Sequence, residues 1–158
     1  MDIQIIRMNQ KYAVEALCWK YEKPYDFYNH VLTTGAIAEL LGNRYFAIIN
    51  NERDLIGFFC LGRSAQVPAG DRFGVYINDC IDLGLGIKPE YTGKGYGTIF
   101  LSHILNYVYD TCPSKDIRLT VATFNRRAIC LYENHGFIKQ QKFSHKNTDF
   151  ITMIKYVS

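Results

Sequence analysis

The sequence lacks the features of several large classes of protein. Its five cysteines include no C-x-x-C pair and no close histidine partner, which argues against a disulfide framework and a zinc site. No apolar run approaches membrane-spanning length, and the N-terminal segment has no signal-peptide pattern. The net charge is only +3, and lysine and arginine are scattered rather than clustered. We therefore expect a cytoplasmic protein with reduced thiols that binds no metal, no membrane and no nucleic acid.

The composition and length indicate one globular domain. Hydrophobic residues make up 48% of the 158-residue chain and charged residues 21%, an ordinary globular balance. A chain of this length can bury a sizeable core. Because no repeat, low-complexity tract or linker divides the sequence, we expect a single domain over residues 1–158.

Apolar spacing predicts alternating strands and helices. Strands are expected at 3–8, 44–49, 55–61, 75–87 (broken near Asn78-Asp79), 117–121, 137–143 and 150–157. Helices are expected at 10–20, within 27–41 (interrupted near Gly35), from about 95 to Pro113, and between Asn125 and Gly136. This order predicts a mixed α/β fold: a twisted, mostly antiparallel sheet of six to seven strands with about four helices.

Gly93, Gly95 and Gly97 stand between a predicted strand and a predicted helix. Ordered glycine costs backbone entropy, so three in five residues need a reason. Their spacing fits neither the Walker loop, G-x-x-x-x-G-K followed by Ser or Thr, nor the dinucleotide pattern G-x-G-x-x-G. A glycine turn that opens a helix is an anion site, but the glycines alone are equally compatible with a tight structural connection.

Two motifs in order resemble the Gcn5-related N-acetyltransferase (GNAT) superfamily. The family's phosphate loop, Gln or Arg followed by x-x-G-x and Gly or Ala, corresponds to residues 92–97 within IKPEYTGKGYG. Its second signature, N-x-x-A-x-x-x-Y-x-x-x-G-F, falls on Asn125, Ala128, Tyr132, Gly136 and Phe137 within LTVATFNRRAICLYENHGF. The resemblance covers residues 83–138 and implies a single-domain GNAT fold.

The resemblance also implies an acetyl-CoA site. Its pyrophosphate would lie on the backbone N–H groups of 93–98, near Lys94, and its pantetheine arm along residues 85–87. Asn125 would bond the arm, and Tyr132 would protonate the departing thiolate, for which a phenol with a pKa of about 10 is suitable. The predicted cofactor residues are Leu85, Gly86, Ile87, Thr92, Gly93, Lys94, Gly95, Tyr96, Gly97, Thr98, Asn125, Ala128 and Tyr132.

Two positions depart from the family's pattern. Thr92 stands where Gln or Arg is usual, which removes a side-chain donor but not the backbone cradle. Thr120 stands where acetyltransferases of ribosomal protein N-termini commonly carry a glutamate. The amine must lose a proton before it attacks, and the base is either a carboxylate that acts through water or bulk solvent. Asp82 is our first candidate for that carboxylate, although a solvated strand residue would account for it equally well. Asp79 and Glu22 are the alternatives.

The segment WKYEKPYDFY, residues 19–28, lies between the first two helices, where the family shapes its acceptor pocket. Aromatic rings beside Glu22 and Asp26 would suit a cationic amine. An aromatic cluster that packs the helices onto the sheet would account for them at least as well. The predicted acceptor residues are Trp19, Tyr21, Glu22, Tyr25 and Tyr28.

The resemblance predicts transfer of acetyl from acetyl-CoA to a primary amine by direct attack through a tetrahedral intermediate. The acceptor would be a small amine or a protein N-terminus, and the enzyme a monomer or homodimer. The alternative, motivated by Thr92 and Thr120, is a non-catalytic acyl-CoA-binding sensor or interaction module on the same fold. A nucleotide-binding regulatory domain ranks last, because both phosphate motifs fail.

Overall fold

The computed structural model describes residues 2–157 and places seven strands and four α-helices in that part of the chain. The strands are β1 (Ile3–Arg7), β2 (Tyr45–Asn50), β3 (Leu55–Leu61), β4 (Cys80–Ile87), β5 (Asp116–Ala122), β6 (Ile138–His145) and β7 (Thr148–Lys155). The α-helices are α1 (Gln10–Leu17), α2 (Thr34–Gly42), α3 (Tyr96–Thr111) and α4 (Arg126–Asn134). Short 3-10 turns occupy Tyr25–Tyr28, Gly62–Ala65, Pro68–Phe73 and Pro89–Tyr91.

The strands form one seven-stranded sheet in the order β1-β2-β3-β4-β5-β7-β6. The pairs β1–β2, β2–β3, β5–β7 and β6–β7 are antiparallel, whereas β4 and β5, which α3 connects, run parallel. The predicted fold class, a mostly antiparallel α/β sheet of six to seven strands with about four helices, is confirmed.

Three predicted elements differ from the observed ones. The helix predicted over 10–20 ends at Leu17. The strand predicted from residue 75 begins only at Cys80. Val75 is instead buried in the loop that follows the turn Pro68–Phe73, so its apolar side chain packs without strand pairing. The helix predicted within 27–41 begins at Thr34, and Gly35 does not interrupt it. Its start is fixed by Thr33, whose Oγ1 accepts a hydrogen bond from the Ala36 N–H at 3.0 Å.

The chain forms two compact units. The first unit contains Met1–Cys60 and Leu85–Leu101, and the second contains Leu61–Gly84 and Ser102–Ser158. In the first unit, Asn9 caps α1 by accepting a hydrogen bond from the Tyr12 N–H at 2.9 Å. The apolar face of α1 then packs with residues of β2 and β3; the buried members of this core are Tyr12, Ala16, Trp19, Ala47, Ile49 and Leu55.

The second unit is built around β5. Ile117, Leu119 and Val121 are buried as their alternation predicts, but Arg118 between them is only 2% exposed. Beside them, the rings of Phe143 and Phe150 stack with centroids 5.3 Å apart. A charged side chain inside this strand requires a partner.

Candidate functional site

The glycine-rich loop lies in the first unit, between the turn Pro89–Tyr91 and α3. Gly93 and Gly95 have φ angles of 70° and 83°, in the left-handed region that favours glycine. A Cβ on Gly95 would have nothing within 4 Å, so the loop backbone is open there. Because the first N–H groups of a helix have no partner within it, the start of α3 offers hydrogen-bond donors to an anion.

Contacts within the loop explain the departure at Thr92. The Thr92 Oγ1 donates a hydrogen bond to the carbonyl of Pro89 at 2.7 Å, and its backbone N–H donates to the same oxygen at 3.2 Å. The Tyr91 ring meets the Tyr96 ring edge-on, with centroids 5.0 Å apart. Thr92 therefore stabilises the conformation of the loop, whereas the Lys94 side chain is exposed to solvent.

The end of β4 lies beside aromatic side chains of the first unit. A Cβ on Gly86 would lie 2.5 Å from Cε1 of Phe58, so only glycine fits there without displacing that ring. Tyr21 donates its phenolic hydrogen to the carbonyl of Ile87 at 2.8 Å. Burial raises the pKa of Tyr21 to about 12, so this donor keeps its proton at neutral pH. A predicted acceptor residue thus contacts a predicted cofactor residue.

The rest of the predicted acceptor segment folds back on itself. The Tyr21 N–H donates a hydrogen bond to Oδ1 of Asn29 at 2.7 Å. Between these residues, a cis Lys23-Pro24 peptide leads into the turn Tyr25–Tyr28. Tyr25 and Tyr28 are half-buried, whereas Glu22 and the Asp26 carboxylate within the turn are exposed. Tyrosine rings and carboxylates therefore share one short segment, as a site for a cationic amine would require.

Trp19 contributes an unsatisfied hydrogen-bond donor. Its side chain is 7% exposed, and its ring lies 5.9 Å from that of Phe58, centroid to centroid. The indole Nε1 is buried and has no hydrogen-bond partner among the described residues. Buried indole N–H groups usually find an acceptor, so this donor is a candidate for contact with a bound molecule.

Asp82 lies in the second unit, opposite Arg118 in the parallel ladder of β4 and β5. Arg118 donates through Nε to Oδ1 of Asp82 at 2.7 Å and through Nη2 to Oδ2 at 2.9 Å. Gln66 donates a further hydrogen bond to Oδ2 at 2.8 Å. Burial lowers the pKa of Arg118, but the hydrogen bond and charge of Asp82 outweigh it and raise that pKa overall. Asp82 is therefore a buried carboxylate held by three donors.

Tyr76 extends this network to Thr120. The Arg118 guanidinium lies 5.0 Å from the Tyr76 ring centroid, within cation–π range. The Tyr76 hydroxyl accepts a hydrogen bond from the Val67 N–H at 2.9 Å and bonds to Thr120 Oγ1 at 2.8 Å. Burial raises the pKa of Tyr76, which keeps the phenol neutral. Sequence reasoning missed Gln66, Tyr76 and Arg118; the one signal was an arginine between the apolar residues Ile117 and Leu119 of a predicted strand.

Asn125 and Tyr132 lie at the two ends of α4 in the second unit. Asn125 caps the helix as predicted, since its Oδ1 accepts a hydrogen bond from the Ala128 N–H at 3.1 Å. Tyr132 is 8% exposed, and its ring centroid lies 6.0 Å from that of Phe137. Gly136 has a φ of 90° and follows the end of α4. The spacing of the second motif is therefore that of one capped helix.

A model of the acetyltransferase (GNAT) family matches residues 9–137. The matched range covers more than half of the chain and includes the glycine loop, β4, β5 and the whole Asn125–Phe137 motif. The chain belongs to the acetyltransferase (GNAT) family. The predicted family is thus confirmed.

Among relatives of this GNAT protein is a spermidine N(1)-acetyltransferase of Vibrio cholerae, 32% identical over 65 residues. That alignment covers 41% of this chain and 38% of the relative, so the match spans well under half of the relative's length. A chimera of the Vibrio cholerae spermidine N-acetyltransferase SpeG and hSSAT has the same fold, with a TM-score of 0.71 at 19% identity over 99% of this chain and 96% of that one. The Vibrio cholerae SpeG structure with manganese ions gives a TM-score of 0.67 at 21% identity over 96% and 91% of the two chains.

Residues 2–157 contain neither a group of metal ligands nor a membrane-spanning helix. No three His, Cys, Asp or Glu side chains there come together as a group that could hold a metal ion. None of the helices in that range is both long and apolar enough to cross a bilayer. The roles of the predicted cofactor, base and acceptor residues stay predictions, as do the single domain and the expected absence of a metal.

Proposed function

We propose that this GNAT protein transfers the acetyl group of acetyl-CoA to a primary amine. Family membership supports acetyl transfer, and the observation that carries the donor is the loop at 92–95. Gly93 and Gly95 have positive φ angles and leave the backbone exposed directly before the start of a helix. A pyrophosphate can accept several N–H hydrogen bonds at such a position. The open space at Gly95 fits this use, because a side chain would fill it.

The donor residues follow from this assignment. Backbone N–H groups from Gly93 to Thr98 bind the pyrophosphate, and the exposed Lys94 adds positive charge. Thr92 shapes the loop rather than donating from its side chain, because its hydroxyl is bonded to Pro89. Residues 85–87 bond the pantetheine arm through their backbone. Asn125 and Ala128, at the start of α4, remain predicted cofactor residues.

The reaction we propose is direct attack on the thioester. The amine nitrogen forms a bond to the acetyl carbon, the carbon–sulfur bond breaks, and the sulfur leaves as a thiolate. Tyr132 gives its phenolic proton to that sulfur. The nitrogen must lose a proton, and Asp82 remains our first candidate to receive it, with Asp79 and Glu22 behind it. Both of its oxygens already accept hydrogen bonds from Arg118 or Gln66, so an incoming proton must compete with those donors.

The acceptor we propose is a small cationic amine. The exposed Glu22 carboxylate lies in the same short segment as Tyr25 and Tyr28, and carboxylates with ring faces suit an ammonium group. Relatives named for spermidine acetylation support an amine of this size and charge, with a protein N-terminus as the other candidate.

Calorimetric titration with acetyl-CoA, CoA and ATP tests the donor assignment. We expect saturable binding of acetyl-CoA and CoA, weak binding of ATP, and loss of at least about tenfold in acetyl-CoA affinity in Gly95→Glu, because the added carboxylate repels the pyrophosphate. Gly62→Glu is the matched control: Gly62 also has a positive φ, 87°, and open space around a Cβ. Equal losses in both variants would show that backbone strain, not the loop, lowered the affinity.

Thiol release in the presence of an amine panel tests the reaction itself. The panel contains spermidine, spermine, putrescine, lysine and a peptide with a free N-terminus. We expect release with at least one small polyamine, and less of it in Glu22→Gln. Folded protein that binds acetyl-CoA but releases no thiol with any of these amines would contradict the proposed reaction while leaving the donor assignment intact.

A further inference from the structure

A cavity of about 410 Å³ that is open to solvent lies in the second unit, between α4, β6 and β7, and the charged side chains that line it are exposed. Its volume falls within the range of small-molecule sites. Nothing in the proposed acetyl transfer uses it. The side chains that define its chemistry are Arg126, Ile129, Glu133, Lys139, Lys142 and Ile151.

The lining of this cavity has an excess of positive charge. Arg126, Lys139 and Lys142 face one carboxylate, that of Glu133. None of the three cations forms an ion pair with another residue of the described chain. Like charges around one concave surface repel each other and create a positive potential. An anion that enters the cavity would be attracted by all three.

A β-bulge in β6 turns both lysines toward the cavity. Lys139 is opposite Met153 and Lys142 is opposite Ile151, so three steps along β6 match two along β7. Residues three apart in a regular strand point to opposite faces, but the extra residue restores the same face. Buried Thr152 supports the bulge, because its Oγ1 accepts a hydrogen bond from the Gln141 N–H at 3.2 Å.

The cavity also has an apolar wall. Ile129 is 9% exposed and Ile151 is 4% exposed, and both contribute to its lining. A carbon skeleton can pack against these side chains while its charged groups reach the cations. Sites for organic ligands commonly combine an apolar lining with a few convergent polar groups.

We propose that this cavity binds a small organic polyanion, whose carboxylate or phosphate groups are held by Arg126, Lys139 and Lys142. The carbon skeleton lies against Ile129 and Ile151. Glu133 accepts a hydrogen bond from a hydroxyl or amine of the same ligand. This site is independent of the proposed acetyl transfer, and its ligand is chemically distinct from the cationic acceptor.

The test uses citrate as the probe with the full-length, ¹⁵N-labelled protein at low ionic strength. We expect citrate to shift the amide signals of the bulge and of α4, with and without saturating acetyl-CoA. The double variant Lys139→Gln, Lys142→Gln should lose about tenfold or more in citrate affinity, because two charge-assisted hydrogen bonds are removed. Lys146→Gln, in the exposed turn between β6 and β7, is the control and should change affinity less than about twofold.

Three results would overturn the proposal: no shift at the cavity, unchanged affinity in the double variant, or an equal loss in Lys146→Gln. Displacement of citrate by acetyl-CoA would also overturn it, since the cavity would then belong to the cofactor. Far-ultraviolet circular dichroism checks that each variant is folded. If the double variant is not folded, citrate affinity is measured instead in Arg126→Gln, which removes the cation that α4 contributes to the cavity.

Discussion

Tyrosine differs from phenylalanine only in its hydroxyl group. In Tyr132 this hydroxyl is the proposed proton donor. The ring is 8% exposed and packs near Phe137, so Tyr132→Phe preserves the buried apolar surface. We expect the rate of acetyl transfer to fall by about a hundredfold, the usual contribution of a general acid. The affinity for acetyl-CoA should stay within about threefold of the wild-type value. Steady-state kinetics and calorimetry together measure the two quantities.

The matched control at this scale is Tyr156→Phe, which removes the same atom from a side chain that is 55% exposed. It should change neither the rate nor the affinity. An equal loss of rate and affinity in Tyr132→Phe would assign Tyr132 to binding, and an unchanged rate would remove it from the mechanism.

At the scale of secondary structure, strands β4 and β5 are linked by a buried ion pair. Their parallel ladder runs from Cys80 opposite Asp116 to Leu83 opposite Leu119, with Asp82 opposite Arg118 inside it. The Asp82 and Arg118 side chains are 5% and 2% exposed. In Asp82→Asn, a buried guanidinium loses its counter-charge, so we expect a loss of about 3 kcal/mol in the free energy of unfolding.

Urea denaturation measures this loss, and Asp79→Asn is its control. Asp79 pairs with Lys115 at the surface, and its side chain is 82% exposed, so its removal should cost less than about 0.5 kcal/mol. Similar costs for the two variants would contradict the structural importance of the buried pair.

The same substitution separates two roles of Asp82 in the reaction. A missing base matters less once the amine acceptor is deprotonated by the solvent, above about pH 10 for an alkyl amine. If Asp82 is the base, the activity of Asp82→Asn should therefore approach the wild-type activity as the pH rises. If Asp82 only holds Arg118 and the ladder in place, the deficit should be the same at every pH at which both proteins are folded.

At the scale of the whole molecule, local signals could be predicted from the sequence and distant pairings could not. The turn at Gly93 and Gly95 could be predicted from the rule that glycine tolerates a positive φ. The capping role of Asn125 could be predicted from the residue spacing of a single helix. The burial of Arg118 could not be predicted, because its partner, Asp82, lies 36 residues away in another strand. Lys139 and Lys142 share a cavity only because of a bulge that Thr152 of the next strand supports.

The molecule as a whole also carries twelve tyrosines, and burial raises the pKa of four of them: Tyr21, Tyr45, Tyr76 and Tyr109. In the unfolded chain these phenols lose their protons near pH 10. In the folded protein Tyr21 keeps its proton until about pH 12. The fold therefore binds more protons than the unfolded chain in that interval, and the free energy of unfolding must decrease as the pH rises through it.

The stability that the neutral Tyr21 phenol provides is complete below about pH 10 and is lost between about pH 10 and 12. Urea denaturation at a series of alkaline pH values should show this decrease, and phenolate absorbance of the native protein should lag behind that of the unfolded chain. Tyr21→Phe removes the phenol that bonds to Ile87 and should make the decrease shallower. If the slope is the same in Tyr21→Phe as in the wild type, Tyr21 titrates alike in both states, and its hydroxyl is not the buried donor to β4 that the structure describes.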